Sequence, residues 1–466
     1  MKRIIYLNLL LGIMTLGSIV SCEDFVEIDA PNHKIISEDV FSSDDTAIAA
    51  MTGIYNQLSV VDFSNGWTNS ITMLAGLSAD NLECIRTTNL SLMEFQQNEI
   101  LPENTRNQSI WSSAYNIIYQ ANSLLEGIER SQQISEDVKR RLEGEAKFVR
   151  AFTYFYLVNL YEKVPLLLTT DYQVNALASS NAEEETYQQL IKDLLETTEL
   201  LGANYINGER TYINRFVAMA LLARIYLYQE NWEQAEYWSS QIIAQTNKYE
   251  LLQDMDKVFL MNSKEAIWQI SPLGRDSFTY TFEGYTLIID PILSFLATFK
   301  LSEGLVASFE PEDQRLANWV NFHSGLNAYY AYKYKDRSSN DRVTEYSMVL
   351  RMAEQYLIRA EARSMQNNLS GAIADIDIIR GRAGLELIGH TDHPINKEAL
   401  LQLIMEERRK ELFTEWGHRW LDLKRTGRAA EILGSDNPTW QNTDVLYPIP
   451  EEERIKNPNL DQNIGY

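Results

Sequence analysis

Apolar residues return at three- and four-residue spacing in one stretch after another. These stretches run from Ser42 to Leu58, Trp111 to Ile128, Leu142 to Tyr161, Glu184 to Leu201, Arg215 to Tyr228, Trp232 to Ile243, Met352 to Met365, Ala372 to Arg382 and Lys397 to Phe413. That period puts one face of a helix on a core and the other in water. Several stretches follow each other after short connections, which predicts helical hairpins. Ser and Asp residues before the apolar positions of the first stretch read as an N-terminal cap. The chain is expected to be mostly α, a scaffold of helical hairpins with long irregular loops and a few short strands.

One pair of helices carries a finer signature. Ala223, Tyr226 and Ala235 stand at offsets of 3 and 12 around a turn at Glu230 and Asn231. These are the small, aromatic and small positions of a tetratricopeptide-like hairpin, where small residues let paired helices approach and a ring fills the groove. Ala360 and Ala372 repeat the offset of 12 around Asn367 and Asn368. The two copies lie 137 residues apart, so the repeat is interrupted by insertions rather than tandem. Three stretches break the helical period: Asp62 to Gln108, Lys257 to Tyr346 and Asp436 to Tyr466. Within the second, Glu265 to Ile270 (EAIWQI) reads as a strand. We read all three as ordered loops on the scaffold, the usual place for binding residues.

Residues 1–22 form an address. Lys2 and Arg3 precede an apolar run from Leu9 to Val20, the pattern of a secretory signal peptide. The run is too short for a membrane-spanning helix. It ends Ile19-Val20-Ser21-Cys22, which resembles a bacterial lipobox with cleavage before Cys22 and acylation of its thiol. Acyl chains anchor at roughly 0.8 kcal/mol per buried methylene, so several hold firmly. Glu23 and Asp24 follow, an acidic stretch resembling the tag that exports lipoproteins to the outer face of the outer membrane. The expected organisation is a signal peptide over 1–21, a lipidated tether over 22–40 and one helical domain over 41–466, with loop insertions around 62–108 and 257–346. The protein would sit at the outer membrane, lipid-anchored and surface-exposed, touching the bilayer through its anchor only.

Composition excludes several classes of function. Lys and Arg total 41 against 65 Asp and Glu, a formal charge of −24 that repels phosphate backbones, so nucleic acid is not an expected partner. Removing the signal peptide takes Lys2 and Arg3 with it and leaves the mature chain more acidic still. Cys22 and Cys84 are the only cysteines, too few for a disulfide framework or a Cys-rich zinc site. With Cys22 acylated, Cys84 reads as a small buried hydrophobe. No GxSxG, GxxxxGK[ST], HExxH or GxGxxG motif occurs. His390 and His393 flank a turn with no third ligand nearby, so no metal and no cofactor are expected. Glu406, Glu407, Glu411 and Glu415 crowd with Arg408, Arg409, Arg419, Asp422 and Arg425. Arginine neighbours lower a carboxyl pKa, whereas a catalytic acid needs it raised. The cluster therefore reads as an ion-pair network that locks a helix in place, and the protein as no enzyme.

Aromatic residues in the loops are the positive evidence. Phe63 and Trp67 stand among Asn65, Asn69, Asp80 and Asn81; Arg275 precedes Phe278, Tyr280, Phe282 and Tyr285; Trp319 and Phe322 lead into Tyr329, Tyr330, Tyr332 and Tyr334. Sugars present C–H faces that stack on rings while amides, carboxylates and guanidiniums read the hydroxyls. Trp67, Asn81, Arg275, Tyr280, Tyr285 and Trp319 are the expected ligand contacts, for an oligosaccharide or, on the same surface, a peptide.

Five blocks together resemble the RagB/SusD family of outer-membrane nutrient-binding lipoproteins. They are Glu145 to Leu167 (EAKFVRAFTYFYLVNLYEKVPLL), Arg351 to Arg363 (RMAEQYLIRAEAR), Ala372 to Leu385 (AIADIDIIRGRAGL), Ile404 to Gly427 (IMEERRKELFTEWGHRWLDLKRTG) and Leu446 to Tyr466 (LYPIPEEERIKNPNLDQNIGY). Ile464 replaces a more usual Pro, and Trp416 stands where Glu is more common. The resemblance implies a tetratricopeptide-like helical fold and no catalysis. It also implies a SusC-like TonB-dependent barrel that the protein caps and supplies with oligomers. It carries no binding residues, because the shared blocks are scaffold.

Overall fold

A computed structural model describes residues 37–272, 278–339, 342–390, 395–435 and 437–466. The signal peptide, Cys22 and most of the tether lie outside the described residues. Among those described, twelve helices have eight residues or more. They are α1 (Asp44–Val60), α2 (Ile71–Ser78), α3 (Leu90–Gln97), α4 (Thr105–Arg130), α5 (Glu136–Tyr161), α6 (Glu183–Leu200), α7 (Arg215–Tyr228), α8 (Trp232–Ile243), α9 (Met352–Met365), α10 (Leu369–Arg382), α11 (Lys397–Leu412) and α12 (His418–Arg425). Among the described residues six short strands form three antiparallel pairs. β1 (Leu82–Cys84) pairs with β3 (Phe299–Leu301), β2 (Ala266–Ile270) with β6 (Ser347–Arg351), and β4 (Val320–His323) with β5 (Ala328–Ala331). No described helix is long and apolar enough to cross a membrane.

Side-chain caps explain where several helices begin. Ser43 accepts from the Thr46 amide to start α1, and Asn214 accepts from Phe216 and Val217 to start α7. The hairpin repeat is closer than the alanine offsets alone indicate. The α7–α8 turn has Glu230 at φ 54° followed by the cap Asn231; the α9–α10 turn has Asn367 at φ 64° followed by the cap Asn368. All four residues stand in the same register in their hairpins. Ala223, Ala235, Ala360 and Ala372 are fully buried, and Tyr226 packs half-buried against the core that holds Ala223 and Ala235. The two hairpins also touch: α8 packs on α9, so α4 to α11 form one continuous array despite the insertion over 244–351.

Arginine–carboxylate pairs fix the layers. Arg150 on α5 grips Asp193 on α6 at 2.8 and 2.9 Å, and Arg224 on α7 grips Glu354 on α9 at 2.6 and 2.7 Å. Arg224 also donates to the Tyr156 hydroxyl on α5. The C-terminal half of α5 is buried all round, and Phe148 and Phe152 pack edge-on to Trp268. The chain's tail docks on the end of this helix. Tyr447 donates its amide to Leu160, and Asn463 donates to the carbonyls of Tyr161 and Tyr447.

Glu407 and Glu411 on α11, with Glu415 three residues past the end of that helix, sit in a buried ion-pair network. Glu411 accepts from Arg351 at 2.6 Å and from Arg382 and Arg315. Glu407 accepts from Arg315, Arg380 and Lys410, and Glu415 from Arg351 and Lys333. Arg351 and Arg382 also reach Glu265, beside β2. Apart from Lys410, which lies on α11 itself, the partners come from elements distant in sequence. Arg408 turns away from Glu411 to bind Asp422, which also holds Arg425.

The loop expectation over Asp62 to Gln108 is corrected, since it contains α2, α3 and β1. Ile71–Ser78 is apolar and buried on every side, so it shows no two-faced period to read. The strand expected at Glu265 to Ile270 is β2.

Removing one partner of a buried network leaves an unpaired charge. Glu411→Gln should cost about 3–5 kcal/mol in denaturant unfolding, whereas Arg130→Ala, at an exposed pair, should cost under about 1 kcal/mol. The network also sets a pH limit. Arg382, Arg351 and Arg315 outweigh burial and hold the Glu411 carboxyl well below its usual 4.5; Glu407, Glu415 and Asp422 are lowered likewise by their cationic partners. Their stabilisation is present above about pH 4.5 and is lost as pH falls below it. Burial pushes Glu145 and Glu345 up to about 7, so each stabilises most below 4.5 and loses that contribution as pH rises through 7. The denaturation midpoint should therefore hold or rise slightly from pH 7 to about 5, then drop steeply, as followed by circular dichroism.

Candidate functional site

Two loops build an aromatic surface. The first, between α1 and α2, is shaped by its own polar side chains. Ser64 donates to Leu58, and Asn65 donates to Val60 and accepts from the Trp67 amide at 2.7 Å. Gly66 has φ +78°, and a Cβ there would lie 2.3 Å from the carboxyl of Glu283. Glycine is required twice at this position, for the backbone angle and for the approach of the second loop. That second loop holds the short helix Phe282–Leu287, capped by Thr281, which accepts from the Gly284 amide. Glu283 is buried and bonded to Ser347 on β6.

This junction assembles five rings. Trp67 is 45% exposed, with its ring 4.8 Å from Phe282 and edge-on to Tyr285 at 6.4 Å. Tyr280 stacks on Tyr285 at 5.4 Å and 20°. Phe278, 43% exposed, lies against both Tyr280 and Phe282. Tyr280 and Phe282, each 7% exposed, form the base, while Trp67, Phe278 and Tyr285 present faces and edges to solvent. Ring packing of this kind holds each plane in place.

Hydrogen-bonding groups surround the rings. The Arg337 guanidinium sits 5.1 Å over Tyr285, donates to the Ile288 carbonyl and binds Asp290 at 2.9 Å. Amides of Leu293 and Ile292 keep the Asp290 carboxyl below its usual range, with Arg337 adding to the effect. On the other side Asn69 donates to Asp62 and accepts from Arg106. A second exposed ring pair, Phe322 and Tyr329, faces across the β4–β5 hairpin at 4.8 Å.

The structure brings together Trp67, Tyr280 and Tyr285, which were expected on the ligand surface, but Tyr280 is buried and supports the other rings rather than facing solvent. Two expectations are corrected. Trp319 is fully buried, with its indole N–H on the Met255 carbonyl and its ring beside Lys333, Arg351 and Arg382 of the ion-pair network. Asn81 is 2% exposed and accepts from Arg409. Both residues are sequestered from any open surface. Arg275 and His393 lie outside the described residues. Arg337, which sequence reasoning missed, lies roughly fifty residues beyond the rings it borders, and no local pattern signals that contact. Cys84 is buried on β1, where burial raises its thiol pKa.

Comparison with known proteins places this architecture. Residues 38–227 match the family model described as "Starch-binding associating with outer membrane", and residues 307–466 match the model of the SusD family. SusD-like protein P25 of Formosa agariphila is 25% identical, over 97% of each chain. A SusD superfamily crystal structure from Bacteroides vulgatus superposes with a TM-score of 0.80 at 22% identity, covering 91% of this chain and all of that one. A laminarin-binding SusD-like protein superposes at 0.76 with 23% identity, over 91% of this chain and all of its own. With both ends of the chain matched by models of one family and the fold shared along its length, the chain belongs to the RagB/SusD family.

Proposed function

We propose that this protein is a lipid-anchored, surface-exposed lipoprotein of the outer membrane that captures an oligosaccharide and delivers it to a SusC-like TonB-dependent barrel. The observation that carries the binding reading is the preformed surface of Trp67, Phe278 and Tyr285, bordered by Arg337, Asp290, Asn69 and Asp62. Exposed rings fixed by neighbouring rings suit the C–H faces of a sugar, and the charged and amide groups beside them suit its hydroxyls. A structural neighbour described as laminarin-binding supports a glycan as the ligand class. No observation of this chain favours the peptide alternative. The anchor reading rests on Cys22 and the apolar run before it, and a family model described by outer-membrane association agrees with it.

The surface is built to hold and release. An open face with a few stacked rings binds in the micromolar to millimolar range, about −8 to −4 kcal/mol, which lets cargo move on. The protein's own residues stack and orient the ligand, and none is assigned a bond-breaking step.

Calorimetry of the purified protein against plant, host and microbial oligosaccharides, laminarin fragments included, should give saturable heat with one class. Trp67→Ala should weaken that binding about tenfold, the loss of roughly 1.4 kcal/mol of stacking, while far-UV circular dichroism shows the fold retained. Unchanged affinity in Trp67→Ala and Phe278→Ala alike would discard this surface. Palmitate labelling of the expressed protein should disappear in Cys22→Ser.

A further inference from the structure

On α11, residues Glu398, Leu401, Gln402, Met405 and Arg409 recur every three or four positions and share the face turned from the core. That stripe is one wall of two adjoining cavities. The first, of about 370 Å³, is lined by Leu227, Trp232, Met365, Leu401 and Met405, together with Tyr228. The second, of about 440 Å³, contains Arg409, Arg419 and Arg428 with Asp80 and Glu406. Met405 and Arg428 line both, so the two are halves of one groove. From Glu398 to Arg409 it runs roughly 16 Å at 1.5 Å per helical residue.

The two halves differ in chemistry. Arg409 and Arg419 share a single carboxylate: Asp80 accepts from Arg419 at 2.7 and 2.9 Å and forms an ion pair with Arg409 at 2.8 Å, while Arg409 donates to Asn81 and to the Asp80 carbonyl. The Nη1 of each guanidinium has no hydrogen-bond partner among the described residues. Among the described residues the Arg428 side chain has only a 3.7 Å contact to the exposed Glu431. Three guanidiniums thus meet two carboxylates in the pocket of a chain carrying −24 overall. Burial, with Arg419 beside it, lowers the Arg409 pKa to about 10 even though Asp80 opposes the shift. The other half is more apolar, its Arg425 and Glu361 being paired with each other at 2.6 Å, and the buried hydroxyl of Tyr228 in its wall has no partner among the described residues. Glu230 and Glu398 stand at that end, so an anion is repelled there and drawn toward the arginines.

We propose that this groove binds a small amphipathic molecule, its oxyanion head group on Arg409, Arg419 and Arg428 and its apolar body along Leu401 and Met405. The volumes suit a small ligand, and an apolar lining with a few convergent polar groups is how such sites are built. Guanidiniums match carboxylates and sulfate esters through paired N–H donors. The groove shares no lining residue with the aromatic surface, so this reading stands apart from the glycan reading.

Calorimetry of the full chain at fixed ionic strength, with sodium octanoate, octyl sulfate, sodium acetate and 1-octanol as probes, tests it. Octanoate or octyl sulfate should bind saturably, at least about tenfold more tightly than acetate, which lacks the apolar body, and than octanol, which lacks the charge. Whichever of the two anions binds more tightly identifies the head-group chemistry. Arg428→Gln and Leu401→Gln should each weaken that binding about tenfold while circular dichroism and the thermal midpoint stay unchanged, and Trp67→Ala should leave it unaltered. Octanoate and octyl sulfate binding no more tightly than acetate, octanol binding as well as either anion, or full retention of binding in both groove variants would overturn the proposal.

Discussion

Glu411 stands at the centre of the buried charge network that joins distant parts of this fold. It lies buried on α11 between Arg315, Arg351 and Arg382, three residues contributed by separate parts of the chain. Around it Glu265, Glu407, Glu415 and Lys333 complete a network that ties β2, β6, α10 and α11 together. Such a cluster repays its desolvation only when almost every lone pair and N–H is used. Its value is therefore specificity of arrangement as much as net energy. A hydrophobic core of this size admits many packings of its helices, whereas three guanidiniums around one carboxylate admit few.

The aromatic surface depends on that arrangement through one strand. Arg351 ends β6 inside the network, and Ser347 at the start of β6 is bonded to Glu283. Glu283 in turn lies against Gly66, the residue before Trp67. Tyr334, one residue beyond Lys333 of the network, accepts the amide of Met348 on the same strand. The loops that present Trp67 and Tyr285 are thus fastened to the most constrained part of the interior, which lets exposed rings keep a fixed disposition on irregular backbone.

Much of the scaffold was legible because helical period and small-residue offsets are local signals. Arg215–Tyr228, Trp232–Ile243 and Met352–Met365 have the limits their patterns imply, and the Glu stripe of α11 reads correctly as structural because arginines surround it. Ile71–Ser78 escaped because a helix buried all round has no polar face to set its period. The site was legible only in part, for a different reason. Trp67 and Trp319 look alike in sequence, each an indole in a polar, irregular stretch. What separates them is that Lys333, Arg351 and Arg382 enclose Trp319, and those partners are set by topology rather than by neighbours in the chain. Asn81 was misread in the same way, its amide being spent on Arg409. Arg337 joins Tyr285 through a fold-level contact that no spacing encodes.

The matching registers of the α7–α8 and α9–α10 hairpins have a consequence for chain entropy. Each hairpin closes through a turn of a few residues and can form quickly by itself. Stacking α8 on α9 requires the ends of the whole 244–351 excursion to meet first. Closing a loop of that length carries an entropy that only distant contacts can offset. The pairing of β2 with β6 and the joining of Arg351 to Glu265 and Glu411 bring those ends together. The array that looks like consecutive repeats in space is thus two locally closed pieces, and the seam between them carries a loop-closure entropy that neither hairpin bears alone.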